Sequence, residues 1–233
     1  MAKLALVIPA AGSGERIRSS LPKPFIHIKE KPILYYTLAR FAGLPELAEV
    51  VIASAPEYRE LSEHIMEQAM PEGVRTRWVE GGAERQYSIA NALEATGEVD
   101  LVAVHDAVRP FVEVSVISAC MRNALEHGAS IVAVPAKDTI KETDESLNIK
   151  RTPDRTRLWQ SQTPQIFRKE LLQKAYRHAR EHNIVGTDDS YLVECIGQAI
   201  RIVEGNRTNF KITYPFDLEV AELMIEKMRA ADE

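Results

Sequence analysis

Two cysteines, Cys120 and Cys195, are all the chain has, and they form no C-x-x-C pair. That excludes a disulfide-stapled scaffold and leaves buried apolar thiols in a reducing compartment, so a cytoplasmic protein is expected. Long apolar runs are missing too. The first, LALVI at 4–8, ends at Pro9 and a Gly-rich stretch, too short for a secretion signal, and no later run approaches a membrane span. Nor is there an excess of positive charge. The 29 Lys and Arg against 34 Asp and Glu give a formal net charge of -5, which argues against broad nucleic-acid binding. A few locally placed cations could still serve an anionic small molecule. No Ser-His-Asp or Cys-His grouping is evident, no Asp-x-Asp occurs, and no second His or Cys lies at metal-ligand spacing from His105.

What is present is the balance of a globular protein. Hydrophobic residues at 45% and charged residues at 27% exclude wholesale disorder, and 233 residues suffice for one domain, 1–233, with a well-buried sheet. Short apolar runs at 4–8, 50–53, 76–79, 101–104, 131–134 and 200–203 read as strands. Several are continuous rather than alternating, as strands covered on both faces are. Between them, Leu34, Leu38 and Phe41 share a helical face, as do Tyr58, Leu61 and Ile65, then Ile117, Cys120 and Ala124, and finally Leu218, Ala221, Ile225 and Met228. The expectation is an α/β fold with a doubly wound, mainly parallel, Rossmann-like sheet that binds ligands at the carboxyl ends of its strands. The polar stretch KETDESLNIKR within 140–152 breaks the rhythm and is read as a protruding β-hairpin arm, about 139–156, with an ordinary surface loop as the alternative.

Four places carry candidate chemistry. After the first strand come Ala10, Ala11, Gly12 and Gly14, small enough for backbone N–H groups to approach a phosphate, with Arg16 and Lys23 as nearby cations in a surface loop. Ile17 stands where a dinucleotide fingerprint needs a third small residue, and the Gly-Lys-Ser/Thr of a P-loop is absent, so this is a phosphate loop of neither kind, or a tight turn. Gly81 and Gly82 open a helix that carries Ser88 and runs to about Ala95, exposing unpaired backbone donors. Asp106 and Arg109 follow the strand at 101–104, where they could hold a metal and a phosphate or simply neutralise each other; His105 reads as a hydrogen-bonded core residue. Last come Gln162-Thr163-Pro164-Gln165, Thr187-Asp188-Asp189 and Asn209-Phe210-Lys211-Ile212-Thr213. Thr187 or Asp188 could merely cap a helix at 190–196, and Lys211 could be a solvated strand residue.

In this order, the motifs resemble those of the 2-C-methyl-D-erythritol 4-phosphate cytidylyltransferases over essentially the whole chain. They are P-A-A-G-x-G-x-R at 9–16, Lys23 after a Pro, G-G-x-x-R-x-x-S at 81–88, H-D-A-x-R-P at 105–110, D-T-x-K at 138–141, Asp154-Arg155, Q-T-P-Q at 162–165, T-D-D at 187–189 and N-x-K-I-T at 209–213. Pro24-Phe25 stands where the family usually has Gln-Tyr, Tyr87 where it often has Asp, and Ile17 where it usually has Met. Some members are fused to a cyclodiphosphate synthase, and 233 residues leave no room for one. The resemblance implies CTP as substrate, with cytosine near Ala10, Ala11, Gly82 and Ser88, the triphosphate over Gly12 and Gly14, and Arg16, Lys23 and Lys211 on the phosphates. It implies Asp106 beside the ribose and as a ligand of Mg2+, and Ala107, Arg109, Thr163 and Thr187 beside a polyol phosphate acceptor. It also implies a homodimer in which the arm crosses over, so that Thr139 and Arg155 grip the acceptor in the neighbouring subunit. The acceptor phosphate, with a second pKa of about 6, is already an anionic nucleophile at neutral pH, so the reaction needs positioning and cations rather than a general base. Ribitol 5-phosphate is the alternative acceptor, and a non-catalytic nucleotide-binding protein the more distant alternative.

Overall fold

The computed structural model describes residues 2–12 and 21–232. In chain order the elements are β1 (Leu4–Pro9), a small hairpin of β2 (His27–Ile28) and β3 (Lys31–Pro32), α1 (Ile33–Ala42), β4 (Leu47–Ser54), α2 (Arg59–Ala69), β5 (Arg75–Glu80), α3 (Arg85–Ala95) and β6 (Leu101–Val104). Then follow α4 (Val114–His127), β7 (Ala129–Pro135), the hairpin of β8 (Glu142–Thr143) and β9 (Ile149–Arg151), β10 (Trp159–Arg168), α5 (Lys169–Glu181), α6 (Asp189–Glu194), β11 (Arg201–Glu204) and α7 (Pro215–Asp232). Among the described residues no helix is long and apolar enough to cross a membrane.

Successive side chains on a strand point to opposite faces, and here both faces are covered. Leu4, Leu6 and Ile8 of β1 join one apolar cluster while Ala5 and Val7 join another; β4 divides in the same way, Val50 and Ile52 against Val51 and Ala53. Leu34, Leu38 and Phe41 of α1, Ile65 of α2 and Ile117, Cys120 and Ala124 of α4 cover the first face. Ile89 and Leu93 of α3, Leu172 and Ala175 of α5 and Val193 of α6 cover the second. β1 and β6 are apolar at every position, since each fully buried aliphatic side chain adds about 1.5–3 kcal/mol; β4 departs from this at Glu49 and Ser54, both fully buried.

The strands form one seven-stranded sheet in the order β11-β7-β10-β6-β1-β4-β5. All its pairs are parallel except those of β10, which runs antiparallel to β6 and β7. This strand has no counterpart among the apolar runs of the sequence. WQSQTPQIFR is polar at its start and contains Pro164, which cannot donate to a ladder. The pairing with β7 accommodates this by a register shift between Ser161 and Gln165. There β10 leaves the ladder and its side chains reach sideways toward the end of β6.

The polar segment is a hairpin, as expected. Glu142 pairs with Arg151 and Thr143 with Ile149, and Asp144 closes the turn by accepting from the backbone N–H groups of Ser146 and Asn148. Leu147 and Ile149 are 82% and 63% exposed, an unusual placement for aliphatic residues on a solvated arm.

Candidate active site

The C-terminal ends of β1 and β6 open into a cavity of about 590 Å3. Pro9, Ala10, Ala11 and Gly12 continue β1 along one wall, and the short 3-10 turn Lys23–Phe25 adds Lys23 and Pro24. Gly82 to Arg85 and Ser88 come from the entry and first turn of α3, Asp106 to Val108 from the exit of β6, and Lys211 from the loop before α7. The glycine pair is needed for the close approach of these walls. A Cβ on Gly81 would lie 2.3 Å from Cβ of Ala11, and one on Gly82 would lie 2.3 Å from Cβ of Tyr87. The Ser88 hydroxyl holds the loop by accepting from the Gly82 N–H at 3.0 Å.

Asp106 is the electrostatic centre. Its carboxylate is 3.1 Å from Nζ of Lys211 and 3.3 Å from Nε of both Arg85 and Arg109. Burial works against its charge, but Lys211, Arg85 and Arg109 outweigh that and hold the carboxyl well below the usual carboxylate range. Behind it a neutral network sets the loop. The Asp106 N–H donates to Oγ1 of Thr163, and that hydroxyl lies 3.0 Å from Nδ1 of His105, whose Nε2 is 3.0 Å from the Arg109 carbonyl. The Thr163 hydroxyl donates to Nδ1 and the Nε2–H donates to Arg109, which keeps the ring neutral. His105 is thus the hydrogen-bonded core residue that the sequence suggests.

Burial pushes the His105 pKa down to about 4 from its ordinary 6.5. The unfolded chain takes up this proton near 6.5 while the folded chain refuses it until about 4, so stability is full above 6.5 and is lost as the pH falls toward 4. Asp106 acts in the same direction at still lower pH. Between about pH 7 and about pH 4 the wild type should lose about 3 kcal/mol more unfolding free energy than a His105→Gln variant, which cannot titrate. Urea unfolding would measure this, and parallel pH dependences for the two proteins would refute it.

Of the residues singled out in the sequence, Ala10, Ala11, Gly12, Lys23, Gly82, Ser88, Asp106, Ala107 and Lys211 meet around this one cavity. Gly14 and Arg16 lie outside the described residues. Arg109 stands behind Asp106, donates through Nη1 to the Asn209 carbonyl at 2.8 Å, and lines a second, smaller depression with Arg207 and Phe210. Thr163 is buried with its hydroxyl already engaged, and Thr187 is exposed just before α6. Asp188, beside it, is the helix cap that one reading allowed: its Oδ1 accepts from the Tyr191 N–H at 2.9 Å. Thr139 and Arg155 are exposed, Nη1 of Arg155 donates to the Lys137 carbonyl, and neither residue lines the cavity.

A magnesium ion held directly by Asp106 does not fit this arrangement. A hard dication needs several oxygen ligands, whereas Asp106 already faces three cationic side chains, and the described residues contain no group of three or more His, Cys, Asp or Glu placed to hold a metal. One residue given no role in the sequence reading now has a place. Arg85, the first residue of α3, lines the cavity and bridges Asp106 to Asp189, whose side chain its Nη1 meets at 2.9 Å. Its place as the Arg of the G-G-x-x-R-x-x-S pattern at 81–88 was the signal that could have given it a role.

A family model described as 2-C-methyl-D-erythritol 4-phosphate cytidylyltransferase matches residues 4–227. The proteins of that description from Caldanaerobacter subterraneus and Alkaliphilus metalliredigens are 41% and 39% identical to the chain, covering 96% and 99% of it and 99% and 96% of their own lengths. Among solved structures, the 4-diphosphocytidyl-2C-methyl-D-erythritol synthase from Anaerococcus prevotii superposes with a TM-score of 0.86 at 28% identity, covering 97% of this chain and 96% of its own. The 2-C-methyl-D-erythritol 4-phosphate cytidylyltransferase from Thermus thermophilus follows with a TM-score of 0.77 at 35% identity, over 95% and 98%. With its fold and nearly its whole length matched by these proteins, the chain belongs to the 2-C-methyl-D-erythritol 4-phosphate cytidylyltransferase family.

Proposed function

We propose that the cavity binds CTP and that its walls divide the work of transferring CMP to 2-C-methyl-D-erythritol 4-phosphate, giving 4-diphosphocytidyl-2-C-methyl-D-erythritol and pyrophosphate in isoprenoid precursor biosynthesis. The observation that carries the reading is the pair of cations, Lys23 and Lys211, facing one cavity whose far wall is the close-packed glycine loop. The base lies against Ala10, Ala11, Gly82 and Ser88, the ribose against Asp106, and the triphosphate along Gly12, Gly14 and Arg16 toward Lys23. The triphosphate carries its own magnesium ion as part of the substrate. A phosphate oxygen of the acceptor attacks the α-phosphorus, the bond from that phosphorus to the bridging β-oxygen breaks, and pyrophosphate leaves with the electron pair. Lys23, Arg16 and Lys211 stabilise the charge gathered in the transition state, which is where fixed cations accelerate such a step.

The acceptor lies beside Ala107 and Arg109, near Thr187 and in front of Thr163. Thr139 and Arg155 are placed on an arm that one chain's cavity does not include, and the exposed Leu147 and Ile149 of that arm suit a neighbouring subunit. The working unit is therefore a homodimer, and its place is the cytoplasm, where two unpaired cysteines are ordinary.

Pyrophosphate release tests the assignment. CTP should exceed UTP in kcat/KM by about a hundredfold or more, because a backbone carbonyl near Gly82 that meets the exocyclic amine of cytosine would face an acceptor oxygen in uracil. 2-C-methyl-D-erythritol 4-phosphate should in turn be preferred to ribitol 5-phosphate. Equal rates with CTP and UTP would refute the base assignment, preference for ribitol 5-phosphate would make that sugar the acceptor, and no turnover with any pair would leave a nucleotide-binding protein.

A further inference from the structure

Arg85 stands at the first turn of α3 with its guanidinium between two carboxylates. Its Nε lies 3.3 Å from Oδ1 of Asp106, and its Nη1 donates to Oδ2 of Asp189 at 2.9 Å. Asp189 is 1% exposed, and its other oxygen accepts from the Tyr176 hydroxyl at 2.6 Å. Tyr176 sits on α5, in the helical layer that covers the sheet, and is itself buried. At the other end of the chain of contacts, Oδ2 of Asp106 faces Nζ of Lys211 at 3.1 Å. A continuous run of charge-assisted bonds thus connects the helical layer to an ammonium group in the cavity.

We infer that Tyr176, Asp189 and Arg85 are positioning residues that fix the Asp106 carboxylate and, through it, the Lys211 ammonium. A carboxylate pinned on one oxygen can still turn about its Cβ–Cγ bond; one pinned on Oδ1 by Arg85 and met on Oδ2 by Lys211 and Arg109 cannot. Arg85 does not hold its own orientation. Its guanidinium is set by Asp189, and Asp189 is set by Tyr176. Burial and the adjacent Asp189 raise the Tyr176 pKa well above its usual value, so its hydroxyl remains a donor throughout the working range. Small displacements of a catalytic charge are costly in phosphoryl chemistry, where positioning and electrostatics supply most of the rate. The inference rests on the assignment of Lys211 to the phosphates proposed above.

Tyr176→Phe tests it, since the change keeps the ring, removes one hydroxyl and touches nothing in the cavity. With the lysines 13C-methylated, the Lys211 resonance, identified by its loss in Lys211→Ala, should shift in Tyr176→Phe. The kcat should fall about fivefold while the KM for CTP stays within about twofold. In the Lys211→Ala background the same change should cost no further kcat, because contacts acting through one group are not additive. Arg85→Lys gives a second arm: a single ammonium cannot span both carboxylates, so kcat should fall at least about tenfold and adding Tyr176→Phe should change nothing more. An unmoved Lys211 resonance, an unchanged kcat, or equal losses in both backgrounds would each overturn the inference. Wild-type protein that releases no pyrophosphate would instead overturn the proposed function, and the resonance would still report on the positioning.

Discussion

A Lys23→Ala variant is expected to turn over CTP about a hundredfold more slowly than the wild type, the usual effect of removing one preorganised charge from a transition state. The structure shows why this lysine is preorganised. It is the first residue of the 3-10 turn Lys23–Phe25, is only 7% exposed, and donates from Nζ to the Thr213 carbonyl at 3.2 Å. Thr213 is fixed in turn, its N–H donating to Oδ2 of Asp217 at 2.7 Å. A charge withdrawn from water in this way acts on a phosphate through a lower effective dielectric than an exposed lysine would. The sequence placed Lys23 in a surface loop, from which it could be removed without structural cost. Its burial changes that expectation, because truncation also deletes a packed four-carbon stem, at about 1–2 kcal/mol of stability. Lys23→Met separates the two effects: it should restore most of the stability and none of the rate. A normal kcat with a raised KM for CTP would mean that Lys23 binds substrate without stabilising the transition state.

How much of this could be read from residues alone depended on what each segment's burial demands. β1, β4 and β6 declared themselves because both faces are covered and apolar residues dominate them. The arm declared itself by the reverse, polar residues around a turn-forming Asp144. β10 escaped because its start is chosen for what it bonds rather than for what it buries. Ser161 and Gln165 both donate to Asp188, and Thr163 accepts from Asp106, so the strand reads as polar although Gln162 to Phe167 are buried. Arg85 was visible as a member of the G-G-x-x-R-x-x-S pattern, but its contacts were not, for a related reason. A lone arginine on a helix is ordinarily a solvated residue, and nothing local announces that Asp189, more than a hundred positions later, will meet it. Asp106 was legible as a candidate but its partners were not, because three cations from separate segments converge on it only after folding. A carboxylate at a strand end suggests a metal ligand until those partners are known.

The largest expected effect of the arm is a gain of activity from two inactive proteins. If the arm crosses between subunits, each active site combines Lys23 of one chain with Arg155 of the partner subunit. The motivation is positional: Arg155 is exposed, with its Nη1 on the Lys137 carbonyl, while Lys23 lines a cavity whose lining does not include Arg155 of the same chain. Lys23→Ala and Arg155→Ala homodimers should then both be nearly inactive, since every site in each carries a lesion. Co-refolding them in equal amounts gives mixed dimers with one doubly damaged site and one wholly intact site. Random pairing makes about half of the dimers mixed, and half of the sites in those are intact, so activity should return to about a quarter of the wild-type value. Should Arg155 serve its own chain, every site in the mixture would carry one lesion and no activity would return. Recovery no greater than the mean of the two parent variants, with mixed dimers confirmed by mass spectrometry, would therefore rule out the shared site. Mixed dimers that fail to form at all would rule out the dimer on which it depends.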